Sequence, residues 1–481
     1  MITLPAEQRS PGKTGSVGAA SADLTTQSGS IHGLWSNRWA FVLAATGSAV
    51  GLGNIWKFPY MTGQNGGGAF VLVYLICIVF ITLPILMAEV LLGRRGRRSP
   101  IFAMAAVARE AGCSVLWSLI GWMGVVAGFL ILSYYSVIAG WTLAYVPRAA
   151  TGAFAGGEGP AIAALFDELL ASPGWLTLWH TLFMVSTVFV VGRGLQAGIE
   201  RAVTWLMPGL FIILLGLVAY AATLPSFAQG VDFLFTPDFS KLNAEVVLKA
   251  LGQAFFTLSL GMGAIMVYGA YLPEESSITR TSLTVCAADT TVALLAGLAI
   301  FPLVFAHGLM PGEGPGLIFL TLPAAFGQMP GGVVIGTLFF VLLLVAAFTS
   351  ALSLIEPAVA WGVERFDTSR AKAAAVCGLL AWLLGLATVF SFNLAENYKP
   401  IGGMTLFELL DYLTSNIMLP AGGALIAVFV AWFMRDEHRR AELRTGAAVL
   451  YPVWLWLLRI VAPVGVALVF LQAIGVDLGL P

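Results

Sequence analysis

Two clusters of glycine interrupt long apolar stretches of this sequence, and each would free backbone polar groups that can bind an ion or a charged small molecule. The first cluster, at 47–54, reads GSAVGLGN, and the second, at 257–263, reads TLSLGMG. Paired glycines weaken a helix, and carbonyls and amides freed in the middle of a membrane need other partners. Cations and polar solutes are suitable partners, although the same glycines would also permit close helix–helix contact.

Charged residues also fall inside the apolar stretches, where a charge is costly and by default indicates a function. Lys57 follows the first glycine cluster, and Glu89, Asp289 and Glu356 lie within later stretches. Asp411 begins another stretch, where it is either the partner of Lys57 across a cavity or a carboxylate in contact with water. The sequence contains no GxGD, GxSxG or HExxH motif. A membrane-embedded hydrolase is therefore disfavoured.

The composition is that of a protein embedded in a membrane. Of 481 residues, 59% are hydrophobic and 10% are charged, whereas soluble domains carry roughly 25% charged residues. The net charge of −1 argues against a nucleic-acid partner, which would require a basic surface. The four cysteines are isolated along the chain, so neither a disulfide framework nor a CxxC metal site is indicated.

Eleven apolar stretches are long enough to cross a bilayer as helices, which needs about 20 residues each. They predict an all-α, polytopic protein with spans near 39–62, 69–93, 117–147, 175–191, 200–223, 245–271, 281–306, 333–362, 372–391, 405–433 and 448–473. Residues 1–36 are polar and predict a disordered tail. Most Lys and Arg residues fall on the side of that tail, which predicts a cytoplasmic N-terminus and an extracellular C-terminus.

The two glycine clusters lie in the first and sixth spans, which is the spacing of a repeated unit of five spans. Two such units with broken helices in matching positions are typical of an inverted-repeat transporter whose site lies at the midplane of the membrane. We therefore expect a first repeat at 37–223 and a second at 224–434, which includes an extracellular hairpin at 308–332. The eleventh span and the C-terminus would occupy 435–481.

Several motifs, in this order, resemble those of the neurotransmitter:sodium symporter family, which has the leucine-transporter fold. They are AVGLGN with KFPY at 49–60, NGGGAF at 65–70, SYY at 133–135, the segment 252–263 and AAFTS at 346–350. The nearest resemblance is to bacterial members that carry several hydrophobic amino acids. It implies sodium-coupled symport across the plasma membrane by alternating access, with two sodium ions and no organic cofactor, by a monomer or weak homodimer in the lipid bilayer.

The resemblance also implies two sodium sites. The first would use the Ala49 and Thr257 carbonyls, the Thr257 hydroxyl, and the Asn54 and Asp289 side chains. The second would use the Gly47, Val50 and Ala346 carbonyls with the hydroxyls of Thr349 and Ser350. Taken alone, Thr349 and Ser350 could instead bond back to their own helix. Sodium is a hard cation, and all of these ligands are oxygen atoms.

The expected substrate site lies beside the first sodium site. By resemblance, the Leu52 and Gly53 amides and the Tyr135 hydroxyl would bind a carboxylate, and the Ala49, Phe256 and Thr257 carbonyls with Ser259 would bind an amino group. The side chain would contact Ile131, Tyr135, Phe256, Met262, Ser350 and Leu354. Gly51 stands where amine-transporting relatives have an aspartate, which favours amino acids. Met262 is flexible and polarisable, which favours bulky apolar side chains.

Further residues match the gates of that family. Lys57 and Asp411 would form an outer gate beneath which Tyr135 and Phe256 act as a lid. Tyr271 and Glu364 match an inner gate whose cation is either His32 or Arg38, and Glu89 matches an acid that supports the sixth-span break. Asp289, together with Ala293 in place of a serine, implies chloride independence, or a carboxyl that carries a proton. A sodium-dependent sensor, a proton-coupled carrier and a symporter for another small zwitterion remain alternatives.

Overall fold

The computed structural model describes residues 31–157, 159–309, 316–443 and 450–473. Most of the expected N-terminal tail and the expected extracellular C-terminus lie outside these ranges. Within them, regular structure is almost entirely helical, with only two isolated β-bridges, Gly67 to Pro237 and Ile401 to Met404.

The membrane-spanning helices agree with the sequence prediction. The described residues contain nine helices long and apolar enough to cross a membrane, and a bent pair that makes a tenth. Numbered in chain order, the spans are 1, Arg38–Ala49 with Gly53–Gln64; 2, Gly68–Gly96; 3, Val115–Ala150; 4, Pro173–Gly192; 5, Leu195–Ala221; 7, Ile278–Ala306; 8, Gly332–Phe366; 9, Arg370–Ser391; 10, Leu406–Phe433; and 11, Leu450–Leu468.

Span 6 consists of two helices, Ala244–Thr257 and Ala264–Ala270, neither of which is long enough to cross a membrane alone. The segment between them is the second glycine cluster. Span 1 is interrupted at the first cluster, where its two halves meet at an angle of 49°. The paired glycines therefore break both helices where the sequence predicts.

Polar side chains at the helix ends fix where several spans begin. Asn37, Ser277 and Ser369 each accept a hydrogen bond from a backbone amide in the first turn of spans 1, 7 and 9. Thr405 and Glu408 form a reciprocal capping box at the start of span 10. Such caps satisfy first-turn amides that have no partner within the helix.

Contacts between spans are symmetric under exchange of the two sets of five. Span 1 packs on span 7 as span 6 packs on span 2, and span 1 packs on span 8 as span 6 packs on span 3. In the same way, span 5 contacts spans 7 and 8 as span 10 contacts spans 2 and 3. This packing places the two broken helices side by side at the centre of the molecule.

The segment 308–332 differs from a simple surface hairpin. Its described part contains a helix, Leu317–Gln328, in which Leu317, Ile318 and Phe319 are buried. Phe319 stacks on Phe166 of the helix Gly159–Ala171, with ring centroids 5.5 Å apart. The segment is buried because its apolar face covers a cavity between the spans.

Candidate functional site

The break in span 1 leaves more carbonyl oxygens than the nearby donors can satisfy. The helix ends at Ala49, and Val50 is extended, with φ −73° and ψ 101°. The Ser350 hydroxyl of span 8 lies 3.2 Å from each of the carbonyl oxygens of Gly47, Ser48 and Val50. One hydroxyl has one proton to donate, so these oxygens form a negative cradle that suits a cation.

Thr349 lies next to Ser350 and bonds back to its own helix. Its hydroxyl is 3.1 Å from the Ala346 carbonyl oxygen and 3.2 Å from that of Val345. Spans 1 and 8 are in close contact here, since a Cβ atom at Gly47 would lie 3.1 Å from Thr349 Cβ. The residues expected at the second sodium site are thus adjacent, on spans 1 and 8.

A buried carboxylate lies on the other side of the same break. Asp289 is completely buried. Its Oδ1 accepts a hydrogen bond of 2.8 Å from Asn54 Nδ2, and both of its oxygens lie 3.2 Å from the Thr257 hydroxyl. Among the described residues no cationic side chain pairs with Asp289. A buried carboxylate in that position requires a compensating positive charge or a proton.

The break in span 6 is stabilised by an acid from span 2. Its backbone has positive φ at Ser259 (54°), Gly261 (78°) and Gly263 (75°), a region that favours glycine. Glu89, completely buried, accepts a hydrogen bond from the Gly261 amide. A Cβ atom at Gly261 would lie 2.5 Å from the Leu419 carbonyl oxygen, so only glycine fits against span 10.

A small cavity of about 30 Å³ lies between the two breaks. The Leu52 amide faces it and donates a 3.3 Å hydrogen bond to the Tyr135 hydroxyl. The expected substrate residues line it, with the exception of Thr257, which faces Asp289. The lining residues are Ser48, Ala49, Gly51, Leu52, Gly53, Ile131, Tyr135, Phe256, Ser259, Met262, Ser350 and Leu354.

A larger cavity of about 360 Å³, here called the vestibule, lies beyond Tyr135 and Phe256, which line both cavities. These two aromatic side chains therefore separate the small cavity from the vestibule. The vestibule is mostly aromatic, and its charged residues are Lys57 and Asp411. It is lined by Leu52, Trp56, Lys57, Tyr60, Tyr134, Tyr135, Ile138, Trp141, Phe166, Leu170, Phe256, Gly316, Phe319, Leu320, Phe392, Phe407 and Asp411.

Lys57 and Asp411 both line the vestibule but do not form a direct ion pair in the described residues, so their role as an outer gate stays a prediction. The Lys57 ammonium lies 4.2 Å from the centroid of the Phe256 ring, and the described residues contain no ion pair between it and Asp411. Asp411 instead accepts hydrogen bonds from Tyr134 (3.2 Å) and Ser415 (2.9 Å). Lysine is a point charge without the planar fork of arginine, so an indirect pairing with Asp411 is compatible with its contact to the Phe256 ring.

At the opposite end of the molecule, Glu364 joins three segments. Its carboxylate lies 2.9 Å from His32 Nε2 and accepts hydrogen bonds of 2.7 Å from the amide and the hydroxyl of Ser99. Arg38, the other candidate partner, lies over the Trp39 ring. Of the two cations left open by the sequence, His32 is therefore the one in contact with Glu364.

Tyr271, the other residue matched to the inner gate, lies beside His32, with ring centroids 5.7 Å apart, and contacts a second acid. Its hydroxyl donates a 2.7 Å hydrogen bond to Glu356, which also pairs with Arg370 at the start of span 9. The sequence marked Glu356 as a buried charge but gave no signal for its partners. Ser99, and Gln253, which donates a 2.9 Å hydrogen bond to the Gly53 carbonyl, were also missed. Single polar residues of this kind do not recur at a characteristic spacing, so the sequence alone does not reveal their partners.

Two symmetrically related broken helices around a closed cavity define the class of inverted-repeat secondary transporters. The sequence profile of the Sodium:neurotransmitter symporter family matches residues 32–157 and 164–477. The chain is 40% identical to the sodium-dependent transporter YhdH of Bacillus subtilis, over 92% of this chain and 98% of that protein. It is 33% identical to a sodium-dependent transporter of Haemophilus influenzae, over 91% and 97%.

A solved structure gives the same result. The crystal structure of MhsT in complex with L-phenylalanine matches with a TM-score of 0.85 and 42% identity, over 92% of this chain and 99% of that one. The chain belongs to the Sodium:neurotransmitter symporter family and has the leucine-transporter fold. It is a multi-pass membrane protein and a sodium-dependent symporter of a small molecule, not an enzyme.

Proposed function

We propose that this symporter imports hydrophobic L-amino acids with two sodium ions and without chloride, from the outside of the plasma membrane. Its N-terminus would lie in the cytoplasm, and the vestibule would face outward. The observation that carries the proposal is the small cavity between the broken helices, which joins an apolar wall of Ile131, Met262 and Leu354 to the backbone polar groups of the span 1 break.

The absence of an acid at position 51 supports an amino acid as the substrate. A Cβ atom at Gly51 would lie 2.5 Å from Ser350 Oγ and 2.9 Å from the Tyr135 hydroxyl, so an aspartate would not fit without rearrangement. With glycine at position 51, the cavity side of the first sodium site would be open to the substrate carboxylate, while Asp289 would lie on the other side of the ion. The similarity to MhsT, whose structure contains L-phenylalanine, supports a bulky apolar side chain.

The first sodium ion would be held by Ala49, Asn54, Thr257 and Asp289. The ion would supply the positive charge that Asp289 lacks, and the Asn54 amide already orients one carboxylate oxygen. The second sodium ion would be held by Gly47, Val50, Ala346, Thr349 and Ser350. Its charge would satisfy the carbonyl oxygens that compete for the single Ser350 proton.

Sodium binding would hold the two halves of span 1 against spans 7 and 8, and the substrate would then complete the first sodium site. Tyr135 and Phe256 would close over it before Glu364 and His32 separate at the other end. Two charges moving through about 100 mV release about 4.6 kcal/mol, and at about 1.4 kcal/mol per decade this supports roughly thousandfold accumulation.

The test is a competition panel against sodium-dependent binding of radiolabelled leucine to the purified protein. We expect Leu, Phe, Trp and Met to compete and taurine and GABA not to compete. Competition by taurine or GABA alone would contradict the apolar pocket. Binding without sodium-driven accumulation in proteoliposomes would indicate a sensor rather than a symporter, and accumulation driven by a pH gradient alone would indicate proton coupling.

A second experiment tests chloride independence. Uptake into proteoliposomes is measured in sodium chloride and again with gluconate in place of chloride. We expect equal rates, because Asp289 provides a fixed negative charge at the first sodium site. A clear loss of uptake in gluconate would contradict this part of the proposal and leave the substrate assignment standing.

A further inference from the structure

A second large cavity lies at the Glu364 end of the molecule, away from the transport site. It has a volume of about 800 Å³ and lies between the beginnings of spans 1, 7 and 11. Arg38 and Arg280 line it, together with Leu283 and Leu450. Nothing in the transport cycle proposed above uses this cavity.

Within the described part of the chain, the arginines of this cavity have no acidic partners. Among the residues described, neither Arg38 nor Arg280 takes part in an ion pair, and Arg38 Nε has no hydrogen-bond partner. The Arg38 guanidinium lies 5.5 Å from the centroid of the Trp39 ring. Of the described residues, one acid, Glu275, also lines the cavity, so the described charges that face it are two positive and one negative.

Two helix N-termini meet at the same cavity. Asn37 and Ser277, the capping residues of spans 1 and 7, both line it, and each accepts a hydrogen bond from a first-turn amide. The positive ends of these helix dipoles add to the charge of the arginines, and such ends bind phosphate groups well.

The cavity also has an apolar side at the surface of the membrane-spanning region. Leu283 is 47% exposed and Leu450 is 57% exposed, and both lie near the starts of their spans. Trp39, next to Arg38, is 61% exposed, as expected for an aromatic residue at a membrane interface. A ligand with a phosphate group and an adjoining hydrocarbon chain would contact both sides.

From this juxtaposition we infer that the cavity binds the headgroup of an anionic phospholipid. Its phosphate lies between Arg38 and Arg280, and its acyl chains leave along Leu283 and Leu450. Basic pockets between membrane-spanning helices bind lipid headgroups by the same chemistry. The bound lipid would connect the start of span 1 to spans 7 and 11 and so stabilise the Glu364 end of the molecule.

The test uses the full-length protein, purified in detergent, with phosphatidylglycerol or phosphatidylcholine added. Native mass spectrometry counts the bound lipids, and thermal unfolding measures stabilisation. We expect phosphatidylglycerol to bind and to raise the Tm more than phosphatidylcholine does. In the double variant Arg38→Gln, Arg280→Gln, its affinity should fall about thirtyfold, since each arginine near an anionic lipid contributes about 1 kcal/mol and 1.4 kcal/mol is tenfold.

Two further variants separate lipid binding from misfolding. Glu275→Gln removes the one acid and should strengthen phosphatidylglycerol binding about fivefold, which a damaged protein would not do. Arg109→Gln changes an exposed arginine outside the cavity and should leave binding unchanged. Equal phosphatidylglycerol binding by the wild type, the double variant and Glu275→Gln would overturn the inference.

A last arm distinguishes a lipid from free phosphate. Inorganic phosphate should give little stabilisation because it cannot contact Leu283 and Leu450. Full stabilisation by inorganic phosphate would overturn the assignment to a lipid. Neither measurement needs sodium or an amino acid, so failure here would leave the proposed transport function intact, and failure of the transport tests would leave this inference intact.

Discussion

The breaks in spans 1 and 6 occupy matching positions in the two repeats, but different side chains satisfy the backbone groups that each break frees. In span 1 the freed carbonyl oxygens face the hydroxyls of Ser350 and Ser259, and the freed Leu52 amide donates to a neutral hydroxyl, that of Tyr135. In span 6 the Gly261 amide is freed and is satisfied by the Glu89 carboxylate. The comparison teaches that symmetry places the two breaks, while neighbouring side chains decide how each is satisfied: hydroxyls face the carbonyl oxygens in span 1, and a carboxylate accepts from the amide in span 6.

The largest effect should come from removing oxygen ligands of the proposed first sodium site, which draws on both broken helices: Asn54 from span 1 and Thr257 from span 6. Thr257→Ala or Asn54→Ala should weaken sodium-dependent leucine binding about a hundredfold, since an interaction with a charged group contributes up to about 3 kcal/mol. Binding is measured over a sodium titration. Thr291→Ala is the matched control, because its exposed hydroxyl bonds only its own helix, at Ala287. A near wild-type sodium response in either variant would contradict the site assignment.

The next largest effect should come from two glycine variants, one at each break, which should differ in whether they lower stability or substrate affinity. Gly261→Ala should lower the free energy of unfolding by about 2 kcal/mol, because φ is positive and the new Cβ meets a backbone oxygen of span 10. Gly51→Ala meets only side-chain ends of Ser350 and Tyr135. It should keep its stability and lose substrate affinity. Thermal unfolding and leucine binding of both variants check this, and identical behaviour would remove the proposed difference between the breaks.

Glu89 should matter for stability and not for sodium recognition. Glu89→Ala leaves the Gly261 amide buried without an acceptor and should cost about 1.5 kcal/mol of stability. Glu89→Gln keeps a carbonyl acceptor and should cost less. Thermal unfolding without sodium measures the stability of each variant, and a sodium titration of leucine binding measures its sodium recognition. If Glu89→Gln abolished sodium dependence while remaining folded, the acid would have a role beyond supporting the break.

The smallest effect should come from Lys57, which links the two breaks through Phe256. Lys57→Met removes a cation–π contact worth about 0.5–1 kcal/mol, so bound leucine should dissociate about two- to fivefold faster. Dissociation of radiolabelled leucine measures this. Asp411→Asn should have a weaker effect on that rate, because Asp411 does not contact Lys57 here. A larger effect from Asp411→Asn would show that the charges pair in another state of the cycle.

Much of the fold followed from the sequence because its signals are local. The apolar stretches gave the spans, and the glycine clusters marked both breaks. The motifs around Asn54, Tyr135 and Phe256 placed the expected substrate residues around one cavity, as observed, while their roles in binding stay predictions. The helix Leu317–Gln328 was missed because its apolar residues pack against a cavity that only the assembled spans create.

The sequence by itself determined a helical membrane protein with two interrupted helices. Hydrophobicity and glycine content decide locally, within a few helical turns, whether a segment forms a continuous membrane-spanning helix. Only the tertiary structure decided which charged groups meet. Glu364 bonds His32 across 332 positions of the chain, Tyr271 bonds Glu356 and not Glu364, and Lys57 lies on Phe256 and not beside Asp411. Such choices depend on distances of a few ångströms between side chains brought together by packing, and no local pattern of residues encodes them.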